Sequence, residues 1–154
     1  MVRPASRRRF TRLLAAALVA CVAALAAWRY GPWREKYAVA LPPPGASQRQ
    51  VVLAYLRALD AHDSATAMAL SASSMRGTTQ MWLASTASIT QIKVGAVQYD
   101  GHLAAGEQYS VPVGFVYHSH WWKDDPSFGD GEHDWGYALV SINGRWLITD
   151  DGLG

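Results

Sequence analysis

The sequence predicts an α+β body, with helices first and a curved antiparallel sheet after them, preceded by one apolar helix at the N-terminus. Three observations carry this expectation. Residues 13–28, LLAAALVACVAALAAW, run sixteen positions without a charge. Apolar side chains then recur at helical spacing from Val52 to Leu59. From Ile89 onward the apolar period shortens to two, as half-buried strands require, with turn signals at Asp100-Gly101 and Asn143-Gly144.

The chain has 154 residues, 50% of them hydrophobic and 17% charged. That is room for one domain plus a targeting or anchoring segment, and it is too apolar for a disordered chain. The formal charge of +2 hides an asymmetry. Residues 1–12 hold five arginines and no acid, whereas from Arg29 on nine Lys/Arg face twelve Asp/Glu, a net of −3. A body of that sign, without a basic stripe, argues against nucleic acid as a partner. Cys21 is the single cysteine and lies inside the apolar run. The body therefore has no thiol for catalysis or zinc and no internal disulfide, so its stability must come from a packed core.

The apolar run, extended by Phe10 and Tyr30, is of marginal length for a membrane-spanning helix. Arginines precede it, and Trp28, Tyr30 and Trp33 sit at its other end. Positive charge on one side and an aromatic belt on the other predict a single-pass protein of a bacterial cytoplasmic membrane, its C-terminal domain extracytoplasmic. An uncleaved signal anchor is the favoured form. Two others deliver the body to the same side. One is a lipoprotein signal, since Leu18-Val19-Ala20-Cys21 resembles a lipobox with Cys21 as the lipidated residue. The other is cleavage at an Ala-x-Ala site such as Ala24-Leu25-Ala26, with Ser6-Arg7-Arg8-Arg9-Phe10 resembling the twin-arginine export motif. The expected organisation is a basic cytoplasmic N-terminus (1–12), a transmembrane or signal segment (13–30), a proline-rich linker (31–46) and a folded domain (47–154). Pro42-Pro43-Pro44 favours a stiff polyproline II spacer.

Within the body, Ser47 with Gln50 three residues on reads as a capping box. The helix it opens sets Val52, Tyr55, Leu56 and Leu59 on one face. Asp60-Ala61-His62-Asp63 breaks the pattern, and Asp63 suits the N-cap of a second, short helix through Leu70. A third helical piece over residues 79–87 is expected to pack through Met81 and Trp82. Ile92, Val94 and Ala96 then share one strand face and Val97 and Tyr99 the other, a phase slip beside Gly95 that suggests a bulge. Tyr109, Val111, Val113, Phe115, Tyr117 and Trp121 take the odd positions of one long strand. A polar loop over residues 123–134 leads to a strand with Trp135, Tyr137 and Leu139 on one face. Asn143-Gly144 turns that strand into the last one, through Trp146 to Thr149.

This order of elements, with VVLAYLRALDAHDSATAMAL at residues 51–70 and INGRWLITDDG at 142–152, resembles the nuclear transport factor 2-like superfamily over about residues 48–151. The resemblance implies a curved sheet wrapped around helices to form a cone with a cavity. Its lining would be drawn from Tyr55, Trp82, Tyr109, Phe115, Tyr117, Trp135 and Tyr137. The fold carries isomerases, dehydratases, polyketide cyclases and many binding or assembly domains, so it implies no particular chemistry. The first helix looks like that of ketosteroid isomerases, where a tyrosine in the place of Tyr55 donates to an oxyanion and a carboxylate base follows the second helix. Here residues 71–88 contain no Asp or Glu, so the base is missing where the resemblance would put it.

Read for an enzyme, the candidate set is Tyr55 as donor with Asp60 or His118 as acid/base. Read plainly, Tyr55 is a core ring on a buried helix face, and Asp60 belongs to a helix-end polar cluster with His62 and Asp63. His118 and His120 stand two apart, a spacing zinc sites use, and His133 is a third candidate ligand; solvated surface positions explain all three. No metal or other cofactor is expected. Trp122 and Phe128 are the candidates for an exposed aromatic face. The leading expectation is thus a membrane-anchored, non-catalytic accessory, assembly or binding module, held to the membrane by its N-terminal helix. Its partner would be another protein or a second copy, met through the sheet face. In architecture it resembles anchored components of conjugative secretion machines and membrane proteins associated with Mce lipid-transport systems. The competing expectation is a cavity enzyme of isomerase or dehydratase type, or a binder of a small apolar ligand.

Overall fold

Ser47 opens the first helix of the body by the reciprocal bonds its sequence predicts. Its Oγ accepts from the Gln50 N–H at 3.4 Å, and Gln50 Oε1 accepts from the Ser47 N–H at 2.8 Å. The structure, a computed structural model, describes residues 16–24, 34–103, 106–120 and 128–152. The chain divides into two compact units, Met1–Arg34 and Glu35–Gly154. In the first, residues 16–24 form helix α1, which carries Cys21 on an exposed position. Among the described residues no helix is long and apolar enough to cross a membrane. The arginine-rich terminus, both ends of the expected membrane segment, Trp121, Trp122 and the start of the acidic loop lie outside the described residues.

The second unit runs α2 (Gln48–Ala61), α3 (Ser64–Ala69), a 3₁₀ turn (Ser73–Met75), α4 (Arg76–Ser85), β1 (Thr86–Val94), β2 (Gln98–Leu103), β3 (Gly106–Ser119), β4 (Gly131–Ile142) and β5 (Arg145–Gly152). The five strands make one curved antiparallel sheet in the order β1-β3-β4-β5, and β2 continues along the β3 edge that β1 leaves. Helices on an antiparallel sheet make the body α+β. The predicted face of α2, Val52, Tyr55, Leu56 and Leu59, is buried completely. It packs on Val111, Val113, Phe115 and Tyr117 of β3, Tyr137 and Leu139 of β4, and Ile148 of β5. Each such side chain withdrawn from water stabilises the body by ~1.5–3 kcal/mol before entropy is counted, which makes this layer the principal source of stability.

Several elements differ from the sequence expectation for identifiable reasons. The bulge lies earlier than Gly95, between Thr90 and Lys93, where Gln91 takes φ 52°. The extra residue resets the side-chain phase, so Ile89 and Ile92 both reach the core despite their odd spacing. At Gly95 the strand simply stops. Its N–H donates to Pro112 O at 2.8 Å, and a Cβ there would lie 2.9 Å from the Pro112 ring. Pro112 tolerates its place in a central strand because its missing N–H faces this gap between β1 and β2. The third helix spans Arg76–Ser85 rather than 79–87, and only one of its two expected anchors is inside: Trp82 is buried, whereas Met81 is 56% exposed. The hairpin is as expected, with Asn143 and Gly144 both at positive φ.

The compact unit also begins earlier than residue 47. Lys36 N–H donates to Ala61 O at 2.7 Å, Val39 N–H to Asp63 Oδ2 at 2.9 Å, and Thr66 Oγ1 to Val39 O at 2.9 Å. Residues 35–39 are therefore a strap on the end of α2, and the stretch expected as a linker is partly docked. Asp63 serves two segments at once, because its Oδ1 also accepts from Thr66 N–H at the start of α3. Burial alone would raise its pKa, but the N–H groups of Thr66 and Val39 outweigh that and hold it below the usual carboxylate value. Asp63→Ala is expected to lower stability by ~1–3 kcal/mol, from the lost cap and the orphaned Val39 donor, read as a shifted urea midpoint at constant slope. Asp63→Asn keeps one acceptor and should recover part of that loss; an Ala variant with an unchanged midpoint would refute the double role.

Candidate functional site

The interior site starts from two tyrosines that meet edge to face. Tyr55 of α2 and Tyr137 of β4 have ring centroids 5.5 Å apart, and neither is exposed to solvent. The Tyr55 hydroxyl lies 3.1 Å from Thr79 Oγ1. Thr79 Oγ1 also donates to Met75 O, at the end of the 3₁₀ turn before α4, at 3.0 Å, and either hydroxyl can be the donor of the Tyr55–Thr79 pair. Ser71 Oγ sits 2.8 Å from Thr79 Oγ1 and 2.8 Å from Ala67 O, and completes a small hydroxyl cluster joining three helices. Burial, more than any other cause, raises the Tyr55 pKa, so the hydroxyl keeps its proton.

Asp151 enters the same interior from β5, directly opposite Tyr137 in the sheet. Its Oδ2 accepts from two indoles, Trp82 Nε1 at 2.8 Å and Trp135 Nε1 at 3.2 Å. Burial lifts its pKa above the usual carboxylate value, the two indole N–H groups oppose that lift, and Asp150 adds to it. The negative charge of Asp151 in turn disfavours ionisation of both Tyr55 and Tyr137. Around the carboxyl stand closely packed rings: Phe128 lies 4.9 Å from Trp82, 5.0 Å from Tyr117 and 5.1 Å from Trp135. The Tyr137 hydroxyl is buried and has no hydrogen-bond partner among the described residues. A carboxyl with a raised pKa beside an unengaged phenol can accept or donate a hydrogen bond to a ligand's single polar group. The same carboxyl also ties two tryptophans in place, which is a structural duty.

Of the seven residues expected to line a cavity, Tyr55, Trp82, Phe115, Tyr117 and Tyr137 are buried on the inner face of the sheet and Trp135 is half-buried beside Asp151. Tyr109 is not among them. It lies toward the other end of β3, donates to Glu107 Oε2 at 2.9 Å and makes edge contacts with Tyr99 and Trp146. Phe128, expected to be exposed, packs against the core and stacks on His133 at 4.0 Å. Tyr55, Asp60 and His118 do not converge. Asp60 is taken up by backbone and strap, accepting from Ile89 N–H at 3.0 Å and Tyr37 Oη at 2.9 Å. His118 is on the outer face with half its side chain exposed, 3.3 Å from Asp130. The three histidines do not assemble either, and among the described residues no group of three or more His, Cys, Asp or Glu is placed to hold a metal. Strand β3 ends at Ser119, His120 N–H donates to Ser85 O, and the His133 ring lies 2.7 Å from Gly129 O. On the outer face a groove of about 280 Å³ runs past Gln91, Lys93, Glu132 and Asp134.

Asp151, Thr79 and Ser71 escaped the sequence reading. Alternation inward from Ile148 points to Asp150, but β5 carries one extra residue: Leu139 pairs with Ile148 and Ala138 with Asp150, so Thr149 is unmatched. That slip turns Asp151 inward. The usable signal was the Asp150-Asp151 doublet closing an otherwise apolar strand.

Tyr55→Phe is expected to cost ~0.5–1.5 kcal/mol, by losing a buried bond to Thr79, and Tyr55→Ala ~3–5 kcal/mol, by leaving a cavity. Tyr137→Phe removes an unpartnered hydroxyl and should leave stability unchanged or raise it by about 1 kcal/mol; a loss as large as that of Tyr55→Phe would mean the phenol is bonded. Because the folded pKa of Asp151 is raised, the folded state binds the extra proton, and its contribution to stability declines as pH rises from 3.8 through that folded value. Asp151→Asn should flatten the decline in a series of melts between pH 4 and 7, and an identical profile would remove Asp151 from the interior. Comparison with protein-family models finds no match for this chain, and comparison with curated proteins finds none.

Proposed function

We propose that this chain is a membrane-anchored bacterial protein presenting a nuclear transport factor 2-like domain outside the cytoplasm, and that this domain binds rather than catalyses. The element order, helices followed by a curved antiparallel sheet with aromatic residues on its inner face, supports the family reading. The observation that carries the non-catalytic reading is the state of the interior polar groups. The Tyr55 hydroxyl is engaged by Thr79, and Asp151 is engaged by two indoles, an arrangement that holds shape instead of leaving a donor and a base for proton transfer. The arginine-flanked apolar run supports the anchor and the orientation.

A second reading has its own observation. The buried, unengaged Tyr137 hydroxyl opposite Asp151 favours a small, mostly apolar ligand with one hydroxyl or carbonyl, whether it is held or turned over. Both readings are tested on the full chain extracted in mild detergent. A binding module of the first kind should bring down a protein partner, and Asp151→Asn should not release it. A ligand site should show a bound small molecule by native mass spectrometry, lost together in Asp151→Asn and Tyr137→Phe. Finding neither would sink both. A periplasmic phosphatase fused after Gly154 should be active; an inactive fusion at normal abundance would reverse the topology.

A further inference from the structure

We propose that the strap over residues 35–39 is an acid-released latch, in which proton uptake by His62 and His120 places two new positive charges beside Lys36 and loosens the strap from the end of α2. His62 is the residue that stops α2. It takes the left-handed conformation at φ 56° and is 6% exposed, with its Nε2 unpartnered. The His120 ring, arriving from the end of β3, is 5.7 Å from it. The strap brings Lys36 into the same corner, its Nζ donating to Ala87 O at 2.9 Å and lying 3.4 Å from Asp60 Oδ1. Other groups here are Asp60 and Asp63 at the helix end, Tyr37 on Asp60 with the Arg57 charge acting on it, and the Thr86 backbone beside His62; His120 has a further interaction of its own.

At neutral pH the Lys36 ammonium lies against Asp60, and Asp63 is engaged by the N–H groups of Val39 and Thr66. Protonating both imidazoles would add two positive charges beside the Lys36 ammonium in a partly dry site, where like charges repel strongly. Burial, then Lys36, hold both histidines below the usual value, and His120 lowers His62 further, with Asp60 opposing. A strap that lifts off takes the Lys36 charge away from both rings and so raises their basicity. The released state therefore binds more protons, and docking weakens as pH falls below 6.5. Asp63 still holds its charge in that range because its own pKa is lowered, so its loss is not the trigger. The latch stands on the body alone. Its consequence for the membrane, about 17 Å of additional free extended chain over residues 35–39, rests on the anchored reading above.

Hydrogen exchange on the full chain tests this, following the Lys36 and Val39 amides that the strap protects. After correction for intrinsic rates, their exchange should rise about tenfold or more between pH 7.5 and pH 5 while β3 and β4 amides hold. His62→Asn, which tolerates the left-handed position, combined with His120→Gln should abolish the rise, and His118→Gln should leave it intact. Strap protection unchanged at pH 5 in the natural chain overturns the latch, whether or not the variants fold. So does a loss shared with the sheet amides, or an equal loss in the double variant.

Discussion

Three residues at the end of α2 join segments of the chain that lie far apart in sequence. Asp60 accepts from the backbone of β1 and from two strap side chains, and Asp63 accepts from the strap backbone and the first turn of α3. Between them His62 takes the left-handed conformation that reverses the chain. A carboxylate accepting two or three hydrogen bonds at once can join segments distant in sequence, each bond being stronger for the charge. Together with the apolar layer, this corner fixes one end of α2, the helix that carries Tyr55 onto Tyr137.

The interior illustrates how a polar site is built inside an apolar layer. The helix layer supplies hydroxyls, which satisfy each other through Thr79, while the sheet supplies the one carboxyl, satisfied by indoles. Neither set would be tolerated alone, since an unpaired polar group buried among rings costs ~1–3 kcal/mol. Among the described residues the Tyr137 hydroxyl is an exception, buried in this layer without a hydrogen-bond partner. A buried polar group without a partner calls for an explanation, a bound ligand being one, and this is why Tyr137, more than Tyr55, separates the two functional readings.

Helix-end chemistry and alternation made most of the fold legible in advance. The capping box at Ser47, the cap at Asp63 and the Asn143-Gly144 turn involve residues within three positions of each other, so local spacing is enough to read them. Five of the seven expected lining residues are buried for a related reason: Tyr55 and Trp82 repeat at helical spacing, and Phe115, Tyr117 and Tyr137 follow a period-two pattern meeting a one-sided sheet. Tyr109 failed because alternation tells which face a side chain takes but not how far along the strand the helices reach.

What the sequence by itself determined is therefore the class of each segment, the buried face of α2 and the inner face of β3. It also determined the separation of charge between an arginine-rich terminus and an acidic body. What only the tertiary structure decided is which polar groups meet. Single-residue slips in β1 and β5 reverse the facing of everything beyond them, and one of them exchanges Asp150 for Asp151 in the interior. The strap and the His62–His120 corner depend likewise on contacts across 24 to 58 positions, which carry no periodic signature because each forms once. A pattern repeats and can be read from one chain; a single long-range contact is settled only when the whole core has packed.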